Sequence, residues 1–152
     1  MNTGFKVLGE MTMSVKRKDG SVDSVTNKNM VVNYGLIGIA GVIAGTPFPS
    51  TGGFTHIALG DSNTAPTLSD TNLVNVLRMD AAVVTQLPAP NNNKVFFQVE
   101  HAQGAAIGTF REAGLFDADS SGNMFNRLVF EDFVVGASDT LTVTWTIEVR
   151  NV

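Results

Sequence analysis

The chain has 152 residues, which is the size of one domain with a hydrophobic core of its own. Ten basic residues stand against 14 acidic ones, and the net charge of -4 removes the attraction to phosphate on which nonspecific nucleic-acid binding depends. Because the sequence contains no cysteine, disulfides, thiolate catalysis and cysteine-zinc sites are excluded.

Residues 1–30 predict a β-hairpin. Met11, Met13 and Val15 alternate with polar residues, and this period of two is typical of a strand with one buried face. An Asp-Gly pair at 19–20 follows, which is the strongest local signal for a tight hairpin turn. We expect an N-terminal hairpin arm that can add a strand to a neighbouring copy. No secretory signal pattern follows the first basic residue, so we expect synthesis in the cytoplasm.

Residues 31–45 are the most apolar stretch of the chain, and glycines recur within it. On a helix the glycines would line one narrow ridge, whereas a glycine-rich strand or loop is the alternative. Each glycine costs a helix roughly 1 kcal/mol, so a helix here needs tight packing against a sheet of the same chain or against another subunit. The stretch is shorter than the ~20 residues that span a bilayer, so we expect no membrane anchor. The candidate oligomer contacts are Gly35, Gly38, Gly41 and Gly45.

Residues 54–152 are predicted to form the body of the fold. A Pro- and Gly-rich break at 46–53 separates this body from the apolar stretch. Alternating or apolar runs, with a second break at 88–93, predict five strands. These are Phe54–Leu59, Lys94–Glu100, Ile107–Phe116, Met124–Val134 and Thr140–Arg150.

The segment 61–71 is rich in Ser, Thr, Asn and Pro, which is typical of a surface loop. Within this segment, Thr67–Asp70 is suited to cap a short turn or a short helix that continues through Leu77. Both alternatives stay open at this point.

The strand expected at Thr140–Arg150 has the clearest pattern in the chain. Its large apolar residues share one face, and its other face carries threonines, Glu148 and Arg150. Several such strands with one or two helical segments predict a mainly β fold, an antiparallel β-sandwich-like domain with an N-terminal β-hairpin and one or two short helices. We expect a single domain over 1–152 with three parts: the hairpin arm 1–30, the Gly-rich apolar helix 31–45 and the β-sandwich body 54–152.

No catalytic constellation emerges from the sequence. The two histidines, His56 and His101, lack the spacing of a metal site, and no serine lies in a Gly-x-Ser-x-Gly elbow. A small glycan hydrolase would have to use acids such as Glu100, Glu112 or Asp117. We instead expect no enzyme activity and no cofactor. The interior carboxylates Glu100, Glu112, Asp117, Glu131 and Asp132 are expected to be solvated or to pair with Arg78, Arg111 and Arg127.

The run 117–123 copies the Asp-x-Asp-x-Ser-Gly opening of a calcium loop, with Asp117 and Asp119 as the candidate metal ligands. The twelfth position of such a loop is a bidentate Glu, and here it is Leu128. Asp and Gly are also the residues of a hairpin loop between two strands. We favour the turn and assign no metal.

Several short blocks of sequence follow one another in a distinctive order over residues 54–152. They are Phe54-x-x-Ile-Ala-Leu-Gly-Asp61, Ala65-Pro66, Asp70-Thr71-x-Leu73 with Arg78, Glu112-x-Gly-Leu-Phe116, Gly122-x-Met-Phe-x-Arg127-x-x-Phe130 and Asp139-x-Leu-x-Val-x-Trp145-x-Ile147. This order resembles the virion structural proteins of tailed bacteriophages, which include tail-fibre, collar and neck-associated proteins.

The resemblance implies a non-enzymatic protein assembled into a symmetric particle. We therefore expect a homo-oligomer, a trimer or a ring, that binds other virion proteins in the tail or neck and is located in the virion. Charged residues make up only 16% of the chain, which agrees with a surface partly covered by other subunits. Neither nucleic acid nor a membrane is an expected partner. The alternatives are a capsid decoration protein and a receptor- or carbohydrate-binding module that uses the loops Thr46–Gly53, Asp61–Asp70 and Leu87–Asn93.

Overall fold

The computed structural model describes residues 4–46 and 53–152, which form ten strands and one helix. In chain order these are β1 (Phe5–Lys16), β2 (Val22–Lys28), β3 (Met30–Val31), α1 (Asn33–Ile43), β4 (His56–Gly60), β5 (Val76–Ala81), β6 (Val83–Gln86), β7 (Lys94–His101), β8 (Gly108–Phe116), β9 (Met124–Val135) and β10 (Thr140–Asn151). Strand accounts for 54% and helix for 8% of the structure, in two antiparallel sheets. The prediction of a mainly β, sandwich-like fold is confirmed.

The residues divide into two compact units with one five-stranded sheet each. Unit 1 contains the residues up to Asn29 together with Val83–Ile107 and Val135–Val152, and unit 2 contains Met30–Ala82 and Gly108–Val134. Each unit is described by itself below.

Unit 1 has the strand order β2-β1-β10-β7-β6. β1 pairs with β10 over its full length, from Phe5 opposite Asn151 to Lys16 opposite Thr140. β1 is therefore an interior strand of this sheet rather than part of a free arm. The predicted hairpin turn is present, because Gly20 has a φ of +87° and lies in a tight turn between β1 and β2.

One face of this sheet is buried as the alternation predicts. Trp145 has no exposed surface, and its indole N–H donates to Asn29 Oδ1 at 3.0 Å. A side chain at Gly9 would collide with that of Asn29, so the glycine makes room for this hydrogen bond. Val149, at the end of the same face, is 43% exposed. The buried hydrophobic residues of β1 and β10 are Met11, Met13, Val15, Leu141, Val143, Trp145 and Ile147.

Unit 2 has the strand order β3-β9-β8-β4-β5 and contains α1. The helix predicted in the Gly-rich stretch is confirmed, with eleven residues. Gly35 is buried, and a Cβ there would collide with the carbonyl oxygen of Phe125, so α1 lies directly against β9. Within the described ranges, no helix is long and apolar enough to cross a membrane. The core of the unit contains Val32, Ala58, Leu73, Phe116 and Met124.

Two strands lie where the sequence predicted none. Residues 67–70 form a turn, with a backbone hydrogen bond of 3.2 Å from Asp70 N to Thr67 O, but no helix follows. The helical alternative is wrong because the chain from Val76 onward pairs with β4 as β5. The four residues of β6 are all exposed and pair with β7, and no alternation marks them in the sequence.

Candidate functional site

Residues from three of the sequence blocks meet in unit 2 around one buried arginine. Arg127, on β9, is 1% exposed, and its Nε and Nη2 donate to Glu112 Oε2 at 3.0 and 2.8 Å. Its Nη1 donates to Asp70 Oδ2 at 2.8 Å, and its Nη2 also donates to the carbonyl oxygen of Thr64 at 2.9 Å. This single side chain therefore connects β8, β9 and the loop 61–71. We call Arg127, Glu112 and Asp70 the buried ion-pair network.

Glu112, on β8, has no exposed surface. Besides Arg127, its carboxylate accepts the backbone N–H groups of Val74 at 3.1 Å and Asn75 at 2.8 Å. A buried charge is stable only when it is paired and its remaining lone pairs are satisfied, and both oxygens of Glu112 have donors. A Cβ at Gly60 would collide with this carboxylate and with the carbonyl of Asn75, so the glycine of the Leu-Gly-Asp block makes room for the network. In this arrangement the carboxylate of Glu112 holds the backbone of residues 74–75 against β8.

Asp70 closes the loop 61–71 onto the network. It accepts hydrogen bonds from the backbone N–H of Thr67 at 3.0 Å and from the hydroxyl of Thr67 at 2.6 Å. Burial acts to raise the pKa of Asp70, but the hydrogen bonds from Thr67 and Arg127 hold it below its ordinary value. At the start of the same loop, Asn75 Nδ2 donates to Asp61 Oδ1 at 2.6 Å. The predicted surface loop is thus fixed at both ends.

The other expected acid-arginine pairs are only partly present. Arg111 donates to both oxygens of Asp132 at 2.6 and 3.0 Å, and because of these hydrogen bonds the pKa of Asp132 lies below its ordinary value. Arg78 instead pairs with Asp80, at 2.7 Å. Glu100, in unit 1, accepts a hydrogen bond from a neighbouring glutamine amide at 3.0 Å.

The loop 117–123 joins β8 to β9, as expected for the turn alternative. The carboxylate of Asp117 accepts the backbone N–H of Asn123 at 2.6 Å and its side-chain amide at 3.0 Å. Asp119 is exposed. In the part of the chain that the structure describes, no group of three or more His, Cys, Asp or Glu residues is placed to hold a metal ion.

The two histidines lie in different sheets. His56, on β4, has its Nδ1 at 2.9 Å from the hydroxyl of Thr55. His101, on β7, is 8% exposed and lies opposite Leu141 of β10. Of the candidate binding loops, positions 47–52 of Thr46–Gly53 lie outside the described residues.

The four glycines named as candidate oligomer contacts differ in their surroundings. Gly35 and Gly38 are buried within the chain, and Gly41 is half-buried. Gly45 follows the helix with a φ of +68° and is exposed. A contact between subunits through these glycines stays a prediction, and two of the four are already enclosed by their own chain.

The opposite side of α1 is exposed and aliphatic. Leu36 and Ile37 are 49% and 55% exposed, and Ile43 is 76% exposed. Ala40 is exposed between Leu36 and Ile43, because residues four and seven positions apart share one side of a helix. The helix contains no charged residue. We call the surface of Leu36, Ile37, Ala40 and Ile43 the aliphatic helix face.

Comparison of the chain with family models, with curated proteins and with solved structures gives no match.

Proposed function

We propose that this chain is a non-enzymatic structural protein of a tailed-bacteriophage virion, a collar or fibre-attachment component of the tail or neck that assembles with copies of itself. The order of the sequence blocks supports the assignment to a virion. The aliphatic helix face supports the assembly, and it is the observation that carries the proposal.

The chemistry of this face favours a second copy of the chain as its partner. Burial of apolar surface stabilises an interface by roughly 25 cal/mol per Å², and three large aliphatic side chains of this face are about half exposed or more. Helices that bind membrane surfaces carry Lys and Arg on their polar side, and α1 has none. Leu36 and Ile43 flank the small Ala40, so the same face of another copy can place its large residues beside the alanine.

The buried ion-pair network supports the same role. Because all three guanidinium nitrogens of Arg127 and both carboxylate oxygens of Glu112 have hydrogen-bond partners, they fix β8, β9 and the loop 61–71 of unit 2 before any partner binds. A surface that is ordered in advance loses less entropy on association. Unit 2 therefore has the properties of a preformed building block.

Sedimentation velocity of the full chain tests the assembly. We expect the wild type to be a trimer or larger and Ile37→Lys to be a monomer, because a charge in the centre of an apolar contact would be buried without a partner. The variant should keep the folded circular dichroism spectrum of the wild type, since Ile37 is exposed in the chain. Leu68→Lys is the matched control, because Leu68 is 54% exposed in the same unit but outside the aliphatic helix face. A monomeric wild type, or an equal effect of both variants, would contradict the proposal.

Immunogold labelling of purified particles with an antibody to this chain tests the location. Label at the tail or neck is the expected result. Label over the head surface would favour the capsid decoration alternative, and particles without label would refute a virion protein.

A further inference from the structure

A groove of about 580 Å³ opens on unit 1, lined by residues of β1, β2, β7 and β10 and of the chain between β2 and β3. Its volume lies within the roughly 300 to 1,000 Å³ of small-molecule sites. Charged side chains dominate its lining, with four cations and two carboxylates. They are Lys6, Lys28, Lys94, Arg150, Glu10 and Glu148.

Four of these six side chains form two pairs of opposite charge, and the members of each pair lie directly opposite each other on neighbouring strands. Glu10 lies opposite Lys28 across β1 and β2, and Glu148 lies opposite Lys94 across β10 and β7. Residues directly opposite on antiparallel strands have their Cβ atoms roughly 5 Å apart, so these charges balance each other.

The remaining two charges are of the same sign. Lys6 lies directly opposite Arg150 across β1 and β10. Like charges in such positions destabilise a sheet. Among the described residues, neither side chain takes part in a salt bridge or a side-chain hydrogen bond. The nearest carboxylate, that of Glu148, already stands opposite Lys94, so the groove carries two more cations than carboxylates and the excess lies at Lys6 and Arg150.

We propose that Lys6 and Arg150 bind the phosphate or sulfate group of a sugar-sized ligand that lies in this groove. The planar guanidinium of Arg150 can donate two hydrogen bonds to one tetrahedral oxyanion, and the ammonium of Lys6 supplies a second charge. The bound anion removes the repulsion between them. Glu10, Glu148 and Thr146 line the rest of the groove and offer oxygen acceptors to the hydroxyl groups of a sugar.

Backbone amide shifts in NMR titrations of the full chain test this site, with glucose 6-phosphate, glucose 6-sulfate, glucose and inorganic phosphate as separate probes. We expect saturable shifts at Lys6 and Arg150 with either sugar ester, and weaker binding of glucose and of inorganic phosphate. The two esters distinguish a phosphate site from a sulfate site. Equal binding of glucose would overturn the role of the oxyanion. Equal binding of inorganic phosphate would show an adventitious ion only and overturn the sugar ligand.

Variants separate the site from a general charge effect. Lys6→Gln should weaken binding of the ester about tenfold, the loss expected for one charged hydrogen bond, and Arg150→Gln, which removes two such bonds, should weaken it more than tenfold. Each should unfold at the same or a higher denaturant concentration than the wild type without ligand, because each removes a like-charge repulsion. Lys18→Gln is the control, since Lys18 lies in the hairpin turn outside the groove. Equal weakening by the control, or no saturable shift in the wild type, would overturn the proposal, and neither result bears on the oligomeric state.

Discussion

Arg127 and Arg111 both donate to a carboxylate, but their surroundings differ. The side chain of Arg127 is 1% exposed and its partner Glu112 is fully enclosed, whereas the side chains of Arg111 and Asp132 are 34% and 59% exposed. An exposed ion pair is screened by solvent and contributes little. Removal of one partner of a buried pair leaves the other charged and desolvated.

We expect Arg127→Met to lower the free energy of unfolding by about 3 to 5 kcal/mol, the range for a broken buried ion pair. The methionine side chain is similar in length to arginine but has no N–H groups to donate to Glu112, Asp70 and Thr64. Urea denaturation of the full chain measures the loss. Arg111→Met is the control and should change the urea midpoint little, so similar losses in both variants would contradict the structural role assigned to Arg127.

The sequence predicts part of this network. Arg127 and Glu112 are both named among the arginines and carboxylates that are expected to pair, with solvated carboxylates as the alternative and no partner assigned to either. The donors from Val74 and Asn75 are backbone N–H groups, which leave no mark in the residue pattern. The pairing of Lys6 with Arg150 is likewise invisible until β1 and β10 are known to be neighbours.

The helix α1 is apolar on both sides, but one side packs against β9 and the other is exposed. Its buried side carries glycine where the backbone of β9 comes close, and its exposed side carries aliphatic residues. Helix propensity alone therefore predicts the wrong sign for the stability change that a substitution on the buried side of α1 causes.

Gly35→Ala should destabilise the chain, although alanine in place of glycine inside a helix normally stabilises it by roughly 1 kcal/mol. The new methyl group would collide with the carbonyl oxygen of Phe125, so α1 must shift away from β9. Thermal unfolding followed by circular dichroism measures the change. Ala40→Gly, on the exposed side and made in the Ile37→Lys variant that should not assemble, reports the propensity effect alone and should lower stability by a similar ~1 kcal/mol. A more stable Gly35→Ala protein would refute the close approach.

Strands with one buried face are predictable because burial imposes a period of two. β1 and β10 have this pattern, and the residues predicted to be buried are buried except Val149, at the exposed end of β10. β6 is exposed at every position, and its existence depends on pairing with β7, the next strand along the chain. The sequence predicts no strand at β5, because its residues Val76 and Leu77 also suit a helix. Pairing with a neighbouring strand, which the residue pattern does not show, decides both strands.

Acid should weaken the whole molecule through carboxylates in both units. In unit 1, a hydrogen bond from the backbone N–H of Gly136 and an ion pair with Arg17 hold the pKa of Asp139 below its ordinary value. In unit 2, Asp70 has a lowered pKa despite its burial, because Thr67 and Arg127 donate to it. The unfolded chain therefore binds these protons more readily than the folded chain does.

We expect the urea midpoint to fall as the pH drops below about 4, through the range between the ordinary aspartate pKa and the lower folded values. Above that range both carboxylates are ionised in the folded and the unfolded chain, and their stabilisation is complete. Asp70→Asn should be less stable than the wild type at neutral pH and should lose less on acidification. A midpoint that rises between pH 5 and pH 3 would contradict this assignment.

The neighbouring positions of β1 and β10 have a consequence during protein synthesis. β1 can pair with β2 as soon as both strands have been synthesised, because only a short turn separates them. The other edge of β1 pairs with β10, which leaves the ribosome only after residues 17–139 have been made. Until then the apolar row of Met11, Met13 and Val15 belongs to a two-stranded ribbon, which is marginal on its own. A nascent chain stalled before Thr140 should therefore bind a chaperone that recognises unfinished sheets, and release of the full-length chain should end that binding.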